Sequence, residues 1–189
     1  MSCLSFTTKY KPADLLGSGS YADVYEVLDD DELVIKIYDG PDFVLQGFNE
    51  EFFLQKLLGS GLSPEYQDSY YCEPTEKFYL VSEKIDIPLL DYILEDYLRL
   101  SDIEELERKI QRLHQQYKIL HNDIRLDNLA VRILVNGETK YEIVLLDFNL
   151  AQTIERYNDE DTYKDFEFVD ELKYWFKKGY RRQDLINEL

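Results

Sequence analysis

The spacing of apolar residues changes period several times along this chain, and each change marks an element. From 13 to 38, apolar and polar positions alternate through ADLLGSGS, ADVYEVL and ELVIKIY, which predicts three strands. Gly17 and Gly19 punctuate the first turn and Asp29-Asp30-Asp31 the second, and DGPD at 39–42 breaks the run. The period then turns helical. Phe53, Leu54, Leu57 and Leu58 in FVLQGFNEEFFLQKLLGSG form one apolar face, which Gly59 and Gly61 end. YQDSYYCE and KFYLVSEKI predict two further strands joined at Pro74-Thr75. Five strands and one helix make a small α+β lobe.

The second half is mainly helical. DIPLLDYILEDYL carries Pro88 near a helix N-terminus. In SDIEELERKIQRLHQQYKIL, Ser101 and Glu104 match the capping-box spacing, and Ile103, Leu106, Ile110, Leu113 and Tyr117 step by three and four. That is one buried face of a long helix. Directly after it stands ILHNDIRLDNLAV, either a polar turn joining helix to strand or a loop that does chemistry. LAVRILV and YEIVLLDF flank NGETK, and Asn136-Gly137 signals a hairpin whose second strand runs to Asp147. An acidic, irregular stretch follows to about 162. DFEFVDELKYWFKKG then reads as an amphipathic helix and RRQDLINEL as a short terminal one.

Composition narrows the function classes. The 189 residues suit one large domain or two small lobes, and the 44% hydrophobic content is enough for a core. A formal net charge of -18 repels phosphate backbones, so no nucleic-acid partner is expected. KKGYRR at 177–182 is the local exception and reads as a solvated helix end. Cys3 and Cys72 lack a metal-binding pattern and read as free thiols in a reducing, cytoplasmic compartment. The first residues have no long apolar run and no window suits a membrane span, so neither a signal peptide nor a membrane partner is expected.

Three signals carry chemistry. LLGSGSYADVYEV is a G-x-G-x-x-A-x-V turn between strands, whose N–H groups can meet polyphosphate oxygens unobstructed by Cβ atoms, although any tight turn also uses glycine. Lys36 lies among Val34, Ile35 and Ile37, where a cation needs a partner or an outward-facing edge strand. Glu50 and Glu51 are the candidate partners, and Glu50 lies beside the helix's apolar face through Leu54 and Leu57. The third signal is His121, Asp123 and Asn128, followed by Asp147 after an apolar strand. Their carboxylate and amide oxygens suit Mg²⁺, which binds few protein groups plus substrate phosphates. His114, beside the helix's apolar stripe, reads as structural.

At these residues the chain resembles the protein kinase superfamily, over about residues 13–152 and part of the next helix. The matches are Gly17, Gly19 and Val24 in the Gly-rich loop, Lys36, Glu50, the catalytic loop HNDIRLDN, and DFN for the metal-binding D-F-G. The resemblance implies a two-lobed α+β fold: a five-stranded antiparallel N-lobe with one helix over about 1–82, a hinge at 83–87, and a shortened, mainly helical C-lobe at 88–189, in one kinase-like domain. It implies that Gly17, Ser18, Gly19, Ser20 and Ala22 cover the phosphates of ATP, with Val24 of the same loop also binding the nucleotide and Val34 above the adenine. Lys36, held by Glu50, would contact the α- and β-phosphates. Asp123 would be the catalytic base, Arg125 would steady the γ-phosphate, and Asn128 and Asp147 would hold Mg²⁺. Ser82 falls at the gatekeeper, Glu83 to Ile85 at the adenine-binding hinge, and Asp170 at the helix aspartate that props the catalytic loop.

The sequence departs from the family pattern at several positions. Ala22 replaces the third glycine, Val34 a small alanine, and Asn122 the arginine of H-R-D, which implies activation without loop phosphorylation. Asn149 replaces the glycine of D-F-G, and asparagine tolerates the left-handed region that the turn would need. Only about 20 residues separate DFN from the FEFVDELKYW helix, with no A-P-E motif. This compactness is similar to the KEOPS-complex kinase family and to minimal viral-type kinases. It implies phosphoryl transfer to Ser/Thr hydroxyls of a protein substrate, with a partner protein completing the substrate platform. Two alternatives stand beside it: a small-molecule kinase of the aminoglycoside or choline type, and a nucleotide-binding pseudokinase acting as a scaffold.

Overall fold

A computed structural model of the chain describes residues 2–95, 97–136, 138–155 and 159–178. The protein is α+β, with five α-helices and a five-stranded antiparallel sheet among the described residues. It divides into two compact units, residues 1–84 with 148–150, and residues 85–147 with 151–189.

In the first unit, α1 (Cys3–Lys9) precedes β1 (Pro12–Ser18), β2 (Asp23–Val27) and β3 (Asp30–Asp39). Then come α2 (Pro41–Lys56), β4 (Tyr66–Cys72) and β5 (Lys77–Glu83). The sheet order β1-β2-β3-β5-β4 makes β3 the central strand. Strand side chains alternate between faces. Ile35 and Ile37, paired with Val81 and Tyr79, join the cluster formed with Phe6 and Tyr10 under α1. Lys36 and Tyr38, paired with Leu80 and Phe78, therefore face the other way, toward α2. Gly47 lets α2 approach that face: a Cβ there would fall 2.9 Å from Tyr38 Cδ2 and closer still to Phe78. Pro41 occupies the first turn of α2, so the helix begins well before the apolar face used to find it.

Helix α1 went unread in the sequence. Its Ser2 side chain accepts the Ser5 N–H, and Phe6 is fully buried between Tyr10 and Tyr70. That docking brings Cys3 to the end of β4, where it forms a disulfide with Cys72, Cα–Cα 5.3 Å. The expectation of two free thiols is overturned. The pair is distant in sequence and close only because a helix without a strong periodic signal packs on the sheet.

The second unit opens with β6 (Ile87–Pro88) and α3 (Leu89–Leu94), for which Pro88 is the N-cap residue. Next come α4 (Leu100–Arg112), β7 (Ile119–Leu120), and the hairpin β8 (Leu129–Asn136) and β9 (Glu138–Leu145). Strand β10 (Gln152–Thr153) and α5 (Asp159–Lys177) complete it. Ile103, Leu106, Ile110 and Leu113 are all fully buried, as their spacing implied. The cap lies earlier than Ser101: the Arg99 N–H donates to Asp102 Oδ2 at 2.8 Å. At its C-terminal end α4 widens into a π-type turn at Leu113–Tyr117, and Lys118 then turns the chain at φ 57°. Lys109, buried in α4, donates to the Ile143 carbonyl at 2.6 Å and pairs with Glu142 at 3.1 Å, fixing the helix to β9.

Helix α5 begins before the acidic stretch was expected to end, so that stretch is partly helical. Gly137 of the expected hairpin turn, most of the KKGYRR run and the RRQDLINEL helix lie outside the described residues. No helix among the described residues is long and apolar enough to cross a membrane.

Candidate functional site

The first unit assembles a buried cation beside a glycine turn. Lys36 points from the central strand to α2, where its Nζ meets Glu50 Oε2 at 2.8 Å. The two side chains are 16% and 6% exposed, so water screens the pair poorly. Tyr38 Oη donates to the same Glu50 oxygen, and the Lys36 ammonium also lies 5.4 Å from the Tyr38 ring centroid. Glu51 is engaged elsewhere, accepting from Ser69 Oγ at 2.6 Å and from Gln55 Nε2 at 3.1 Å. Of the two candidate acids, Glu50 is therefore the partner of Lys36.

Gly17, Ser18, Gly19 and Ser20 are exposed, and Ala22 is buried. The turn closes through the Gly19 N–H donating to the Ala22 carbonyl at 2.9 Å, and Ser18 Oγ donates to Asp23 Oδ1 at 2.6 Å. Neither Gly17 nor Gly19 has a positive φ. A Cβ on Gly17 would have nothing within 4 Å, and one on Gly19 would meet only the Ala22 carbonyl at an ordinary 3.5 Å. The fold alone does not require glycine at either place, which leaves room over the backbone for a ligand. Val24 pairs with Lys36 across β2 and β3, and Val34 with Ser82 across β3 and β5. The Glu83 N–H donates to the Glu65 carbonyl at 2.9 Å and the Lys84 N–H to the Glu32 carbonyl at 2.8 Å. The N–H of Ile85, first residue of the second unit, makes no backbone hydrogen bond among the described residues.

The second unit gathers amide and carboxylate groups at one end of its hairpin. Leu129 pairs with Leu145, and the Leu146 N–H donates to the Asn128 carbonyl at 2.8 Å. That register places Asn128 and Asp147 together at the open end of β8 and β9. Asn128, buried, donates its Nδ2 to Asp123 Oδ2 at 2.6 Å and to the Asp123 carbonyl at 2.9 Å. With the amide nitrogen committed, the oxygen of Asn128 is the atom suited to a metal. Arg125 lies on the exposed side, 4.0 Å from Asp123 Oδ2 and 3.4 Å from Asp127 Oδ2.

The loop holding Asp123 is propped by a residue that sequence reasoning missed. Asp165 of α5, 1% exposed, accepts the His121 N–H at 2.7 Å and the Asn122 N–H at 2.8 Å. Its Oδ2 also lies 2.8 Å from His114 Nε2. Asp170, expected in this role, is exposed. Asp165 shares a helix face with the buried Phe168, Val169 and Leu172. A carboxylate on an apolar stripe was the available signal. His114 and His121 are both buried, and His121 Nε2 lies 2.8 Å from the Leu146 carbonyl, which can only accept, so this nitrogen carries the proton. Burial pushes the His121 pKa below its usual value, while Asp165, the Leu146 carbonyl, Asp147 and Asp123 oppose that shift. It is held as a neutral strut between the loop and the Leu146 carbonyl.

Two residues here adopt left-handed backbone, Asn122 at φ 65° and Asp147 at φ 60°. Such conformations cost roughly 1–3 kcal/mol for residues other than glycine, and persist where neighbours over-determine them. Asn149, the residue expected to supply a left-handed turn, does not; it sits in a 3₁₀ turn, Phe148–Leu150, and is buried.

Neither the protein-family models nor the curated proteins include a match to this chain.

Proposed function

We propose that the protein is a phosphotransferase of the protein kinase superfamily, moving the γ-phosphoryl group of ATP to a Ser/Thr hydroxyl of a protein with Mg²⁺. The observation that carries this reading is the Lys36–Glu50 pair, 2.8 Å long and mostly buried on the sheet face behind a glycine turn. A cation built this deep is expensive unless its charge is used, and a polyphosphate is the ligand that an ammonium beside open glycine backbone suits. On this reading the first unit is the nucleotide-covering lobe and the second carries the acceptor chemistry.

Each unit supplies part of the work. Lys36, aimed by Glu50, neutralises phosphate oxygens, and Gly17 and Gly19 admit them to the turn. Asp123 orients the acceptor hydroxyl and takes its proton, while Arg125, exposed next to it, balances charge on the transferring group. Among the described residues no group of three His, Cys, Asp or Glu could cage a metal. The donor set of Asn128 and Asp147 fits an ion that fills its remaining positions with water and substrate oxygens. Mg²⁺ bound there would neutralise negative charge on the phosphates. Catalysis would then rest on positioning and preset electrostatics.

The test is ADP release by the wild-type chain with Mg²⁺ and ATP, beside Asp123→Ala. The reading expects turnover in the first and a loss of at least about 10²-fold in the second. Equal rates would remove Asp123 as the base, and nucleotide binding without turnover in the wild type would favour the pseudokinase reading.

A further inference from the structure

Asn49 precedes Glu50 on α2. Its Nδ2 donates to the Asn149 carbonyl at 2.9 Å and reaches the Phe148 carbonyl at 3.5 Å. These are the two residues that follow Asp147. Phe148 is fully buried and Asn149 is 4% exposed, in a single 3₁₀ turn. The Asn149 side chain does not hold the turn through its own oxygen, because Oδ1 is buried without a partner among the described residues. Asp147 itself sits at φ 60° and needs its neighbours to keep it there.

We propose that Asn49 is a positioning residue for the metal-binding carboxylate: it ties the turn that follows Asp147 to the same helix turn through which Glu50 holds Lys36. This rests on the phosphotransfer reading and extends it to a residue that touches no reacting atom. Adjacent positions of one helix then govern both the cation and the segment leading from the metal ligand. A shift of α2 would disturb both at once.

The isosteric Asn49→Asp tests this directly, because it keeps the size and replaces the amide donor with an acceptor facing two carbonyls. The half-saturating Mg²⁺ concentration for ATP turnover should rise roughly tenfold or more, the usual cost of losing a residue that orients a metal ligand. Backbone hydrogen exchange at 148–151 should accelerate in the chain without metal or nucleotide. Asn49→Gln, which keeps the donor on a longer arm, should lie between. Asn49→Ala, free of the carboxylate's repulsion, replaces Asn49→Asp if that variant fails to fold. A folded variant with wild-type Mg²⁺ dependence and wild-type exchange overturns the role of Asn49 while leaving the phosphotransfer reading intact. A wild-type chain that turns over no ATP overturns that reading and the role of Asn49 with it.

Discussion

Asp165 accepts the backbone N–H of Asn122 at 2.8 Å across 43 residues of sequence. With its bonds to the His121 N–H and the His114 ring, one carboxylate fixes the loop that presents Asp123. Asp165→Ala would remove the partner of two backbone N–H groups and of a buried imidazole. It should lower stability by roughly 3–5 kcal/mol, read as the urea midpoint. Asp170→Ala, on the exposed side of the same helix, should stay within about 0.5 kcal/mol of wild type.

His121 predicts a pH dependence. Its folded-state pKa is depressed, chiefly by burial, so as pH falls through the ordinary histidine value near 6.5 the unfolded chain takes up a proton that the folded chain does not. Stability present above that value is therefore lost toward the lowered folded pKa, with a slope of at most about 1.4 kcal/mol per pH unit from this group. Urea unfolding at pH 7.5 and pH 5.5 should show a smaller difference for His121→Asn than for wild type. Identical differences would contradict the assignment.

The Cys3–Cys72 bond closes a loop between residues 69 apart. Loop-closure entropy values such a crosslink at roughly 4 kcal/mol, with 2–4 kcal/mol typical in practice. Dithiothreitol should lower the urea midpoint of wild type accordingly and leave Cys3→Ser unaffected. Phe6 remains an apolar anchor for α1 after reduction, so a reduced chain that still folds agrees with the structure.

The Lys36–Glu50 pair separates stability from activity. Glu50→Gln takes the Glu50 charge away from a mostly buried ammonium and should cost about 3 kcal/mol. Lys36→Met removes the cation together with its desolvation cost, so the double variant should be more stable than the sum of the singles implies. On the phosphotransfer reading, Lys36→Met should still lose roughly 10²-fold in kcat/KM for ATP.

Local pattern made much of this legible. The alternation on 13–38 located β1, β2 and β3, and the three–four spacing of Ile103, Leu106, Ile110 and Leu113 located α4. The choice of Glu50 over Glu51 followed from which acid borders the apolar face of α2. What stayed hidden depends on contacts between distant elements. Helix α1 is short, and Phe6 gains its meaning only under the sheet. Cys3 and Cys72 meet because of that docking. Asp165 and Asp170 lie on one helix, and the spacing of Asp165 from Phe168, Val169 and Leu172 is the signal that separates them. Asn49 carries no motif, and its role arises from the carbonyls beside it.

The central claim is that a phosphoryl group ends on a protein hydroxyl and not on water. The direct measurement is incubation with Mg²⁺ and ATP labelled at the γ-phosphorus, with a Ser/Thr peptide mixture, followed by phosphoamino-acid analysis of the peptides and of the chain itself. Label on phosphoserine or phosphothreonine, lost in Asp123→Ala, is the predicted result. Label found only as inorganic phosphate or unreacted ATP, or transfer undiminished in Asp123→Ala, would contradict it.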